Sequence, residues 1–248
     1  MINTTVKKLQ KIHHNIYSNI FGIKNYGKFV VITRSRTGSN LLISLLNSNP
    51  KIIAHGEKFS LLGHKNCDQI YKEIFPKKSN KIVGFKLFYY HPNDSEDKSI
   101  WNTLKNNQSI KIIHLQRKNL LRSHISRLIA GKTENWASTQ AKETGLKEKQ
   151  IHIDTEKLLS DFETTNNYIK ETNEAFKNHR TIEIFYEDLV NDRKKTIKRI
   201  SNFLEVEDMD LKSNLKKQNQ EKIKEIVLNY EELYECLINT KHSHMLQE

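Results

Sequence analysis

An apolar run that breaks into a polar turn and resumes at helical spacing constrains the fold of this chain most strongly. Residues 29–32 are typical of a buried strand, and the leucines that follow repeat along one face of a helix at positions 41, 42, 45 and 46. A helix that begins at such a turn directs its unpaired N–H groups and the positive end of its dipole at the loop. The segment therefore predicts a phosphate-binding turn at residues 34–39.

This turn differs from the two best-known nucleotide-binding loops. The triphosphatase loop requires G-x-x-x-x-G-K-(S/T), so that a lysine reaches the outer phosphates and a hydroxyl ligates magnesium. Here Gly38 stands alone without a following lysine, and the dinucleotide pattern G-x-G-x-x-G is absent too. Arg34 and Arg36 precede the glycine, so fixed cations could replace the metal. An ordinary strand-to-helix turn with solvated arginines is the alternative interpretation.

A second strand that runs into a helix carries the other informative cluster. Residues 110–116 are typical of a strand, with isoleucine or leucine at 110, 112, 113 and 115, and Arg117 falls at the junction with the helix. Arg122 and Ser126 are four residues apart and share a helix face, with Arg127 beside it. An arginine fork and a hydroxyl in this arrangement can hold one phosphate from two sides. A basic, solvent-facing helix is the competing interpretation.

Together the two segments resemble the sulfotransferases that use 3′-phosphoadenosine 5′-phosphosulfate (PAPS), and the likeness is closest to the bacterial and carbohydrate-type branch. In that family a first loop, R-x-R-(S/T)-G-(S/T)-x-L-L, binds the 5′-phosphosulfate, and residues 34–42 match it at every position. A second pattern, L-x-R-x-(D/N)-x-L-R-x-x-x-S, binds the 3′-phosphate and matches residues 115–126. Further matches extend the resemblance over about residues 28–238 and lie at 55–59, 83–88, 186–189, 217–219 and 229–230.

The resemblance implies which residues bind the donor and that the reaction needs no metal. The implied donor-binding residues are Arg34, Ser35, Arg36, Thr37, Gly38, Ser39, Asn40, Arg117, Ser126, Tyr186 and Lys217. The product of the donor is adenosine 3′,5′-bisphosphate (PAP). Many animal cytosolic sulfotransferases carry a lysine in the first loop and a catalytic histidine, whereas this loop has Arg36. In the bacterial branch the base is often a glutamate after the second strand, which points to Glu57.

Sulfuryl transfer requires a base, a cationic clamp on the sulfonate and a stabilised leaving phosphate. Glu57 is the candidate general base. Arg36 and Lys86 are the candidate cations that offset charge on the transferring group and the bridging oxygen. His91 is the rival base, because a histidine is an equally suitable proton carrier on chemical grounds.

Each of these assignments has a structural competitor. Glu57 precedes Lys58, so a surface ion pair is the simpler interpretation of that carboxylate. Lys86 sits in an alternating apolar run, so it could instead lie on the polar face of a strand. For Asp188 we expect a structural role, in which the segment after the strand at 182–185 caps the next helix.

Two other classes of site find little support in the sequence. Cys67 and Cys236 are the only cysteines and form no C-x-x-C pair, which argues against a zinc site and fits a reducing compartment. The paired histidines lie near the termini. No G-x-S-x-G turn is present, which argues against an α/β-hydrolase.

The alternation of strands and helices predicts a single α/β domain with a central, mostly parallel sheet flanked by helices and a P-loop-like nucleotide-binding architecture. We expect a helical extension at 1–27, a sulfotransferase domain at 28–240 and a tail at 241–248. The predicted strands are 29–33, 51–55, 82–89, 110–116 and 181–186. The predicted helices are 38–48, 66–75, 97–106, 117–131, 154–178, 193–204 and 219–238. Arg34, Glu57 and Arg117 then fall at the carboxyl ends of strands, where parallel sheets bind ligands.

Two segments lack a firm structural assignment. Residues 132–153 show no periodicity and are interpreted as a flap over the acceptor or as partly disordered, with Trp136 either stacking on a sugar ring or packing internally. Residues 6–23 mix apolar residues with lysines at helical spacing, which favours a helix packed on the domain and leaves a peripheral membrane contact open. No run approaches the roughly 18 apolar residues of a membrane span, and the first 28 residues contain no signal core, so we expect a cytoplasmic location.

The formal net charge of +12 indicates attraction to anions without selecting among them. A non-enzymatic nucleic-acid or anion binder is one alternative, although the aromatic pattern of an RNA-recognition sheet is absent. A nucleotide-dependent small-molecule kinase is another, opposed by the missing loop lysine. The resemblance therefore implies sulfonate transfer from PAPS to a hydroxyl of a carbohydrate or glycolipid, with a small-molecule or glycan partner and no nucleic acid. Nitrogen acceptors and a homo-oligomer stay open.

Overall fold

The computed structural model describes residues 22–136, 145–215, 219 and 221–247. Within this part of the chain, five strands form one sheet in the order β2-β3-β1-β4-β5, and every neighbouring pair is parallel. The strands are β1 (Lys28–Thr33), β2 (Ile52–His55), β3 (Ile82–Phe88), β4 (Ile110–Gln116) and β5 (Thr181–Phe185). The predicted α/β architecture with a parallel sheet is therefore confirmed.

Helices connect the strands and cover both faces of the sheet. They are α1 (Ser39–Asn47), α2 (Cys67–Ile74), α3 (Ser99–Lys105), α4 (Leu120–Thr133), α5 (Leu146–Lys149), α6 (Thr155–Ala175), α7 (Tyr186–Asn191), α8 (Arg193–Leu204), α9 (Ile223–Ile226) and α10 (Tyr230–Ile238), followed by a 3₁₀ turn at Ser243–Leu246. Among the described helices, none has the length and apolar composition needed to cross a membrane.

The apolar character of β1 explains its central place. Residues 29–32 are completely buried between β3 and β4, as expected for a strand covered on both faces. Gly84 of β3 lies opposite Phe29 of β1, and a Cβ atom on Gly84 would stand 2.5 Å from the Phe29 ring. A glycine at this position therefore lets the two strands pair beside the aromatic ring.

Three apolar clusters hold the layers together. One face of the sheet packs against α2 and α3, the other against α1, α7 and α8, and a third cluster joins α4, α6, α9 and α10. The helix starts follow local capping chemistry. The Asn66 side chain accepts from the Gln69 N–H at 2.9 Å, and the Asp154 side chain accepts from the Lys157 N–H at 3.0 Å. These caps fix the beginnings of α2 and α6.

The single helix predicted for 219–238 is wrong, because the chain breaks between α9 and α10. At the break, Val227 forms a parallel bridge with Ile151, and the Leu228 N–H donates to the Ile151 carbonyl at 2.8 Å. The Asn229 side chain bonds both the N–H and the carbonyl of Ile153. Pairing with a distant segment outweighs helical periodicity here. The short helices α5 and α7 also went unpredicted.

Several predicted segments fall wholly or partly outside the described residues. These are residues 1–21, which contain most of the predicted N-terminal helix, and 137–144 in the middle of the predicted flap. The last part of that flap is packed, since Ile151 and Ile153 are buried. Met245 is buried in the third cluster, so the 3₁₀ turn packs on the domain.

Candidate active site

The segments that follow all five strands converge on one cavity of about 540 Å³. Arg36 follows β1, Glu57 follows β2, His91 follows β3, Arg117 follows β4 and Tyr186 follows β5, and all five line the cavity. The geometry is that of a parallel α/β sheet, in which ligands bind beyond the carboxyl ends of the strands. The two motif segments singled out in the sequence thus meet at one place.

The cavity is strongly cationic. Among its described lining residues, the cations are Arg36, Lys86, Arg117, Arg122, Arg127 and Arg193, and Glu57 is the acidic residue. Such a concentration of one sign of charge attracts a multiply charged anion. Arg193 belongs to no motif, and the sequence offered no signal for it.

The loop between β1 and α1 is closed by its own side chains and by Tyr186. Gly38 caps α1 in the left-handed region at φ 79°, and a Cβ atom on it would stand 2.2 Å from Tyr186 Cδ2. Thr37 is buried and its hydroxyl donates to the Arg34 carbonyl at 2.8 Å. Ser39 is also buried, at the first turn of α1. The N-terminal N–H groups of α1 therefore face the cavity edge, where an anion is favoured.

Arg36 joins this loop to α4. Its Nε donates to Ser126 Oγ at 2.8 Å, and its Nη1 donates to the Trp136 carbonyl at 3.0 Å. Burial lowers the pKa of Arg36, and the nearby Tyr186 opposes that shift. The Ser126 hydroxyl also accepts from Asn219 Nδ2 at 3.3 Å. The first and second motifs are thus in direct contact through Arg36 and Ser126.

Arg117 lies between the loop and the segment after β5. Its Nη1 donates to the Arg36 carbonyl at 2.9 Å, and its guanidinium carbon lies 4.7 Å from the centre of the Tyr186 ring. Burial lowers the pKa of Arg117, while Tyr186 and Glu187 oppose the shift. Tyr186 therefore packs against Gly38 on one side and Arg117 on the other.

Lys86 forms the centre of a second polar cluster. The lysine is 2% exposed, and its Nζ lies 2.7 Å from Glu57 Oε1 and donates to Asn40 Oδ1 at 2.6 Å. Burial lowers the pKa of Lys86, and the Glu57 carboxylate opposes that shift. The cluster places a carboxylate, an ammonium group and the first turn of α1 in contact. The alternative in which Lys86 lies on a polar strand face does not describe this buried position.

His91 lines the cavity wall, but its ring is fully buried. Its Nδ1 accepts from the Phe88 N–H at 3.3 Å, so the neutral ring carries its proton on Nε2, which is buried without a hydrogen-bond partner. Burial lowers the pKa of His91 from 6.5 to about 4. The proton-accepting nitrogen is therefore already occupied by the backbone.

Other sequence-predicted residues take different positions. Ser35 lines the cavity, whereas the Arg34 guanidinium pairs with Asp161 of α6, with 2.6 Å between Nη2 and Oδ1. Lys217 lies outside the described residues. Asp188 pairs with Lys118 Nζ at 2.6 Å in the first turn of α7. Among the described residues, no cluster of three potential metal ligands occurs.

Sequence reasoning missed Tyr90, which directly precedes His91. Tyr90 lines the cavity together with Ser35 of the loop. Burial raises its pKa. Its place at the end of a buried strand, beside a candidate histidine, is a signal that could have identified it.

Comparison with solved structures finds a similar fold in a known protein. A sulfotransferase from Alicyclobacillus acidocaldarius superimposes with a TM-score of 0.50 at 12% identity, covering 78% of this chain and 87% of that one. A mouse sulfotransferase, SULT7A1, in complex with PAP gives a TM-score of 0.48 at 16% identity, covering 78% of this chain and 63% of that one. The sulfotransferase domain of the Synechococcus olefin synthase gives 0.45 at 18% identity, with 76% of each chain covered.

The present chain thus spans less than two thirds of the mouse protein's length. No curated protein sequence matches significantly. A sequence model of the sulfotransferase family matches residues 108–210, which include Arg117, Ser126 and Tyr186 of the cavity. Over this segment, which is less than half of the chain, the protein is similar to the sulfotransferase family.

Proposed function

We propose that this protein transfers a sulfonate group from PAPS to a hydroxyl of a carbohydrate or glycolipid acceptor and releases PAP. The observation that carries the proposal is the meeting of both motif segments in one cationic cavity that also contains the Glu57–Lys86 pair. PAPS carries two phosphates and a sulfate, a charge that matches an excess of arginine and lysine over a single carboxylate.

The two motif segments suit the two ends of such a donor. The loop at 35–40 and the first turn of α1 offer N–H and hydroxyl donors to the 5′-phosphosulfate. Arg117 and Ser126 lie on the neighbouring wall and offer a guanidinium and a hydroxyl to the 3′-phosphate. Tyr186, which packs between Gly38 and Arg117, would contact the nucleotide between its charged ends.

In the proposed reaction, Glu57 accepts the proton of the acceptor hydroxyl as that oxygen attacks the sulfur. The bond between sulfur and the 5′-phosphate oxygen breaks, and its electron pair leaves with PAP. Lys86 and Arg36 offset the charge that develops on the sulfonate and on the bridging oxygen. Lys86 has three N–H donors, and Glu57 and Asn40 accept two of them, which leaves one for the sulfonate.

The geometry favours Glu57 over His91 as the base. The Glu57 side chain is 34% exposed and lines the cavity, so an acceptor can reach its carboxylate. The His91 ring has no exposed surface, and its low pKa makes it a weak base at neutral pH. His91 therefore has a packing role in the cavity wall near Lys86 and Glu57.

The cavity end near Glu57 supports a sugar-like acceptor. Ser60, Asn93 and Tyr90 offer hydroxyl and amide groups there, and Phe88 adds an aromatic surface. Sugar rings present hydroxyls at their edge and apolar faces to aromatic rings, which this combination suits. Both cysteines are free thiols, which supports a cytoplasmic location for the reaction.

The proposal is tested by transfer assays with labelled PAPS and an acceptor panel of neutral sugars, amino sugars and glycolipids, together with calorimetry of PAP binding. Glu57→Gln should lower the transfer rate by at least about 100-fold and keep PAP affinity within about threefold, because the nucleotide does not need the base.

Glu73→Gln is the matched control, since Glu73 pairs with Lys65 at 2.6 Å on an exposed surface away from the cavity. It should leave both transfer and PAP binding unchanged. Absence of PAP binding by the wild-type chain would refute the proposal, and full activity of Glu57→Gln would exclude Glu57 as the base.

A further inference from the structure

Asp161 of α6 binds one arginine from the loop after β1 and one arginine from α4. Arg34 Nη2 lies 2.6 Å from Asp161 Oδ1, and Arg127 Nη2 donates to Asp161 Oδ2. Arg34 comes from the loop after β1, and Arg127 comes from α4, directly after Ser126. One carboxylate on a third helix therefore joins the loop and α4.

Several hydrogen bonds hold Arg34 in place beside Asp161. Arg34 Nη1 donates to the Asp161 carbonyl at 3.1 Å and to the hydroxyl of Thr165, one turn further along α6. The carbonyl of Arg34 accepts from the Thr37 hydroxyl at 2.8 Å. The side chain and the backbone at Arg34 are thus both held, and the guanidinium is directed at α6.

The Arg127 side reaches the cavity. Arg127 lines the cavity wall, and its Nη1 donates to Ser123 Oγ at 3.0 Å. Its neighbour Ser126 accepts from Arg36 Nε, the contact that joins the two motif segments. A displacement of this part of α4 would therefore move Ser126 and Arg36 together.

The electrostatic balance of the cluster depends on Asp161. Burial raises the pKa of its carboxyl, but the His124 ring, whose Nδ1 lies 3.1 Å from Asp161 Oδ2, and the charges of Arg127 and Arg34 outweigh burial and lower that pKa to about 2. Burial and the charge of Arg34 lower the pKa of Arg127 to about 10, and Asp161 opposes this shift. The two guanidinium groups are close enough to repel, and the carboxylate between them offsets that repulsion.

We infer that Asp161 is a positioning residue for donor binding, which holds Arg34 of the loop and Arg127 of α4 so that the phosphosulfate-binding loop and the 3′-phosphate-binding helix keep one relative position. The inference rests on the proposed function, because it concerns how the proposed donor site is assembled. Asp161 itself does not line the cavity, so it acts through the two arginines.

A positioning role for Asp161 and a simple effect of its negative charge predict opposite changes in PAP affinity for Asp161→Asn. The change removes a negative charge next to the cavity, so long-range attraction alone would make the anion bind more tightly. Loss of positioning leaves two mutually repelling arginines, separates the loop from α4 and weakens binding. We expect the dissociation constant of PAP to rise at least about 10-fold.

Glu205→Gln is the matched control. Glu205 also binds two cations, with Arg180 Nη1 at 2.6 Å and Lys111 Nζ at 3.1 Å, but it is exposed and does not line the cavity. Its replacement should leave the PAP affinity unchanged. The second test variant is Arg34→Gln, which keeps the Asp161–Arg127 pair and removes only the loop contact.

The experiment measures PAP affinity by calorimetry, donor and acceptor KM, kcat and Tm for the full chain, the three single variants and the double variant that combines Asp161→Asn with Arg34→Gln. The inference predicts a higher donor KM and an unchanged acceptor KM for Asp161→Asn and Arg34→Gln. The double variant should bind PAP no more weakly than the single variant that binds PAP more weakly. If Asp161→Asn does not fold, the inference is judged from Arg34→Gln alone, which should raise the donor KM and leave the acceptor KM unchanged.

Three outcomes would overturn the inference. A lower Tm with unchanged PAP affinity of the folded variants would show a purely structural role. Tighter PAP binding would show that charge alone matters. If the wild-type chain itself fails to bind PAP, the proposed function fails, and that result is distinguished from the first two because it appears without any substitution.

Discussion

Gly38 offers the sharpest test of how the loop between β1 and α1 is built. Gly38→Ala forces a left-handed backbone on a residue with a Cβ atom, because φ is 79° there. That conformation costs about 1–2 kcal/mol for an ordinary residue. The new Cβ would stand 2.2 Å from Tyr186 Cδ2, where an ordinary contact is at least 3.4 Å, so the Tyr186 ring has to move.

Movement of Tyr186 also weakens its contact with Arg117, whose guanidinium carbon lies 4.7 Å from the ring centre. A contact of this kind contributes about 0.5–2 kcal/mol. The total loss in free energy of unfolding for Gly38→Ala is therefore about 2–4 kcal/mol, or about 4–16 °C in Tm for a domain of this size. Because Tyr186 and Arg117 line the cavity, PAP affinity should fall at least about 10-fold.

Gly63 provides the matched control for the backbone term. It also has a positive φ, of 60°, but a Cβ atom there meets nothing within 4 Å. Gly63→Ala should cost only the backbone term of about 1–2 kcal/mol and leave PAP binding unchanged. Chemical unfolding and calorimetry measure both quantities. Equal losses of stability for the two variants, with unchanged PAP affinity for Gly38→Ala, would refute the proposed packing of Tyr186.

Two further predictions concern the cluster around Lys86. Lys86→Met should lower the transfer rate by at least about 100-fold in the labelled-PAPS assay, because it removes the cation beside Glu57, and PAP affinity should change far less because PAP lacks the sulfonate; a rate within threefold of wild type would contradict this role. Burial lowers the pKa of His91 from 6.5 to about 4. Between pH 4 and pH 6.5, His91 therefore binds a proton in the unfolded chain but stays neutral in the folded chain. The free energy of unfolding should therefore be unaffected by this group above pH 6.5 and be reduced by about 2 kcal/mol at pH 5, with the loss complete near pH 4. His91→Gln should remove this part of the pH dependence in urea titrations, and identical pH profiles for the two proteins would contradict it.

The strands were predictable because their apolar runs carry the signal locally. Residues 110–116 form a buried strand in the structure as in the prediction, and the polar break after each run marks the strand end. The same local reasoning failed for 219–238. There, pairing of Val227 with Ile151 and the side-chain bonds of Asn229 interrupt the helical periodicity, and both depend on a segment about 76 residues away.

The candidate site divides in the same way. The residue types of the loop and of the second motif are local patterns, and they indicated an anion site, while the family resemblance pointed to Glu57 as the base and left His91 as its rival. Burial of the His91 ring and the exposure of Glu57 follow only from how β2 and β3 pack, so the proposal that Glu57 is the base draws on the structure. The direction of Arg34 toward Asp161 likewise depends on α6.

The sequence by itself determined the parallel α/β architecture and the places where polar turns interrupt apolar strands, because hydrophobic periodicity and turn chemistry act over a few residues. The tertiary structure alone decided which of those turns meet, which cations line the cavity and which are neutralised by a carboxylate. These outcomes depend on distances between residues far apart in the chain, such as Arg34 and Asp161, and electrostatic and packing energies are set by those distances.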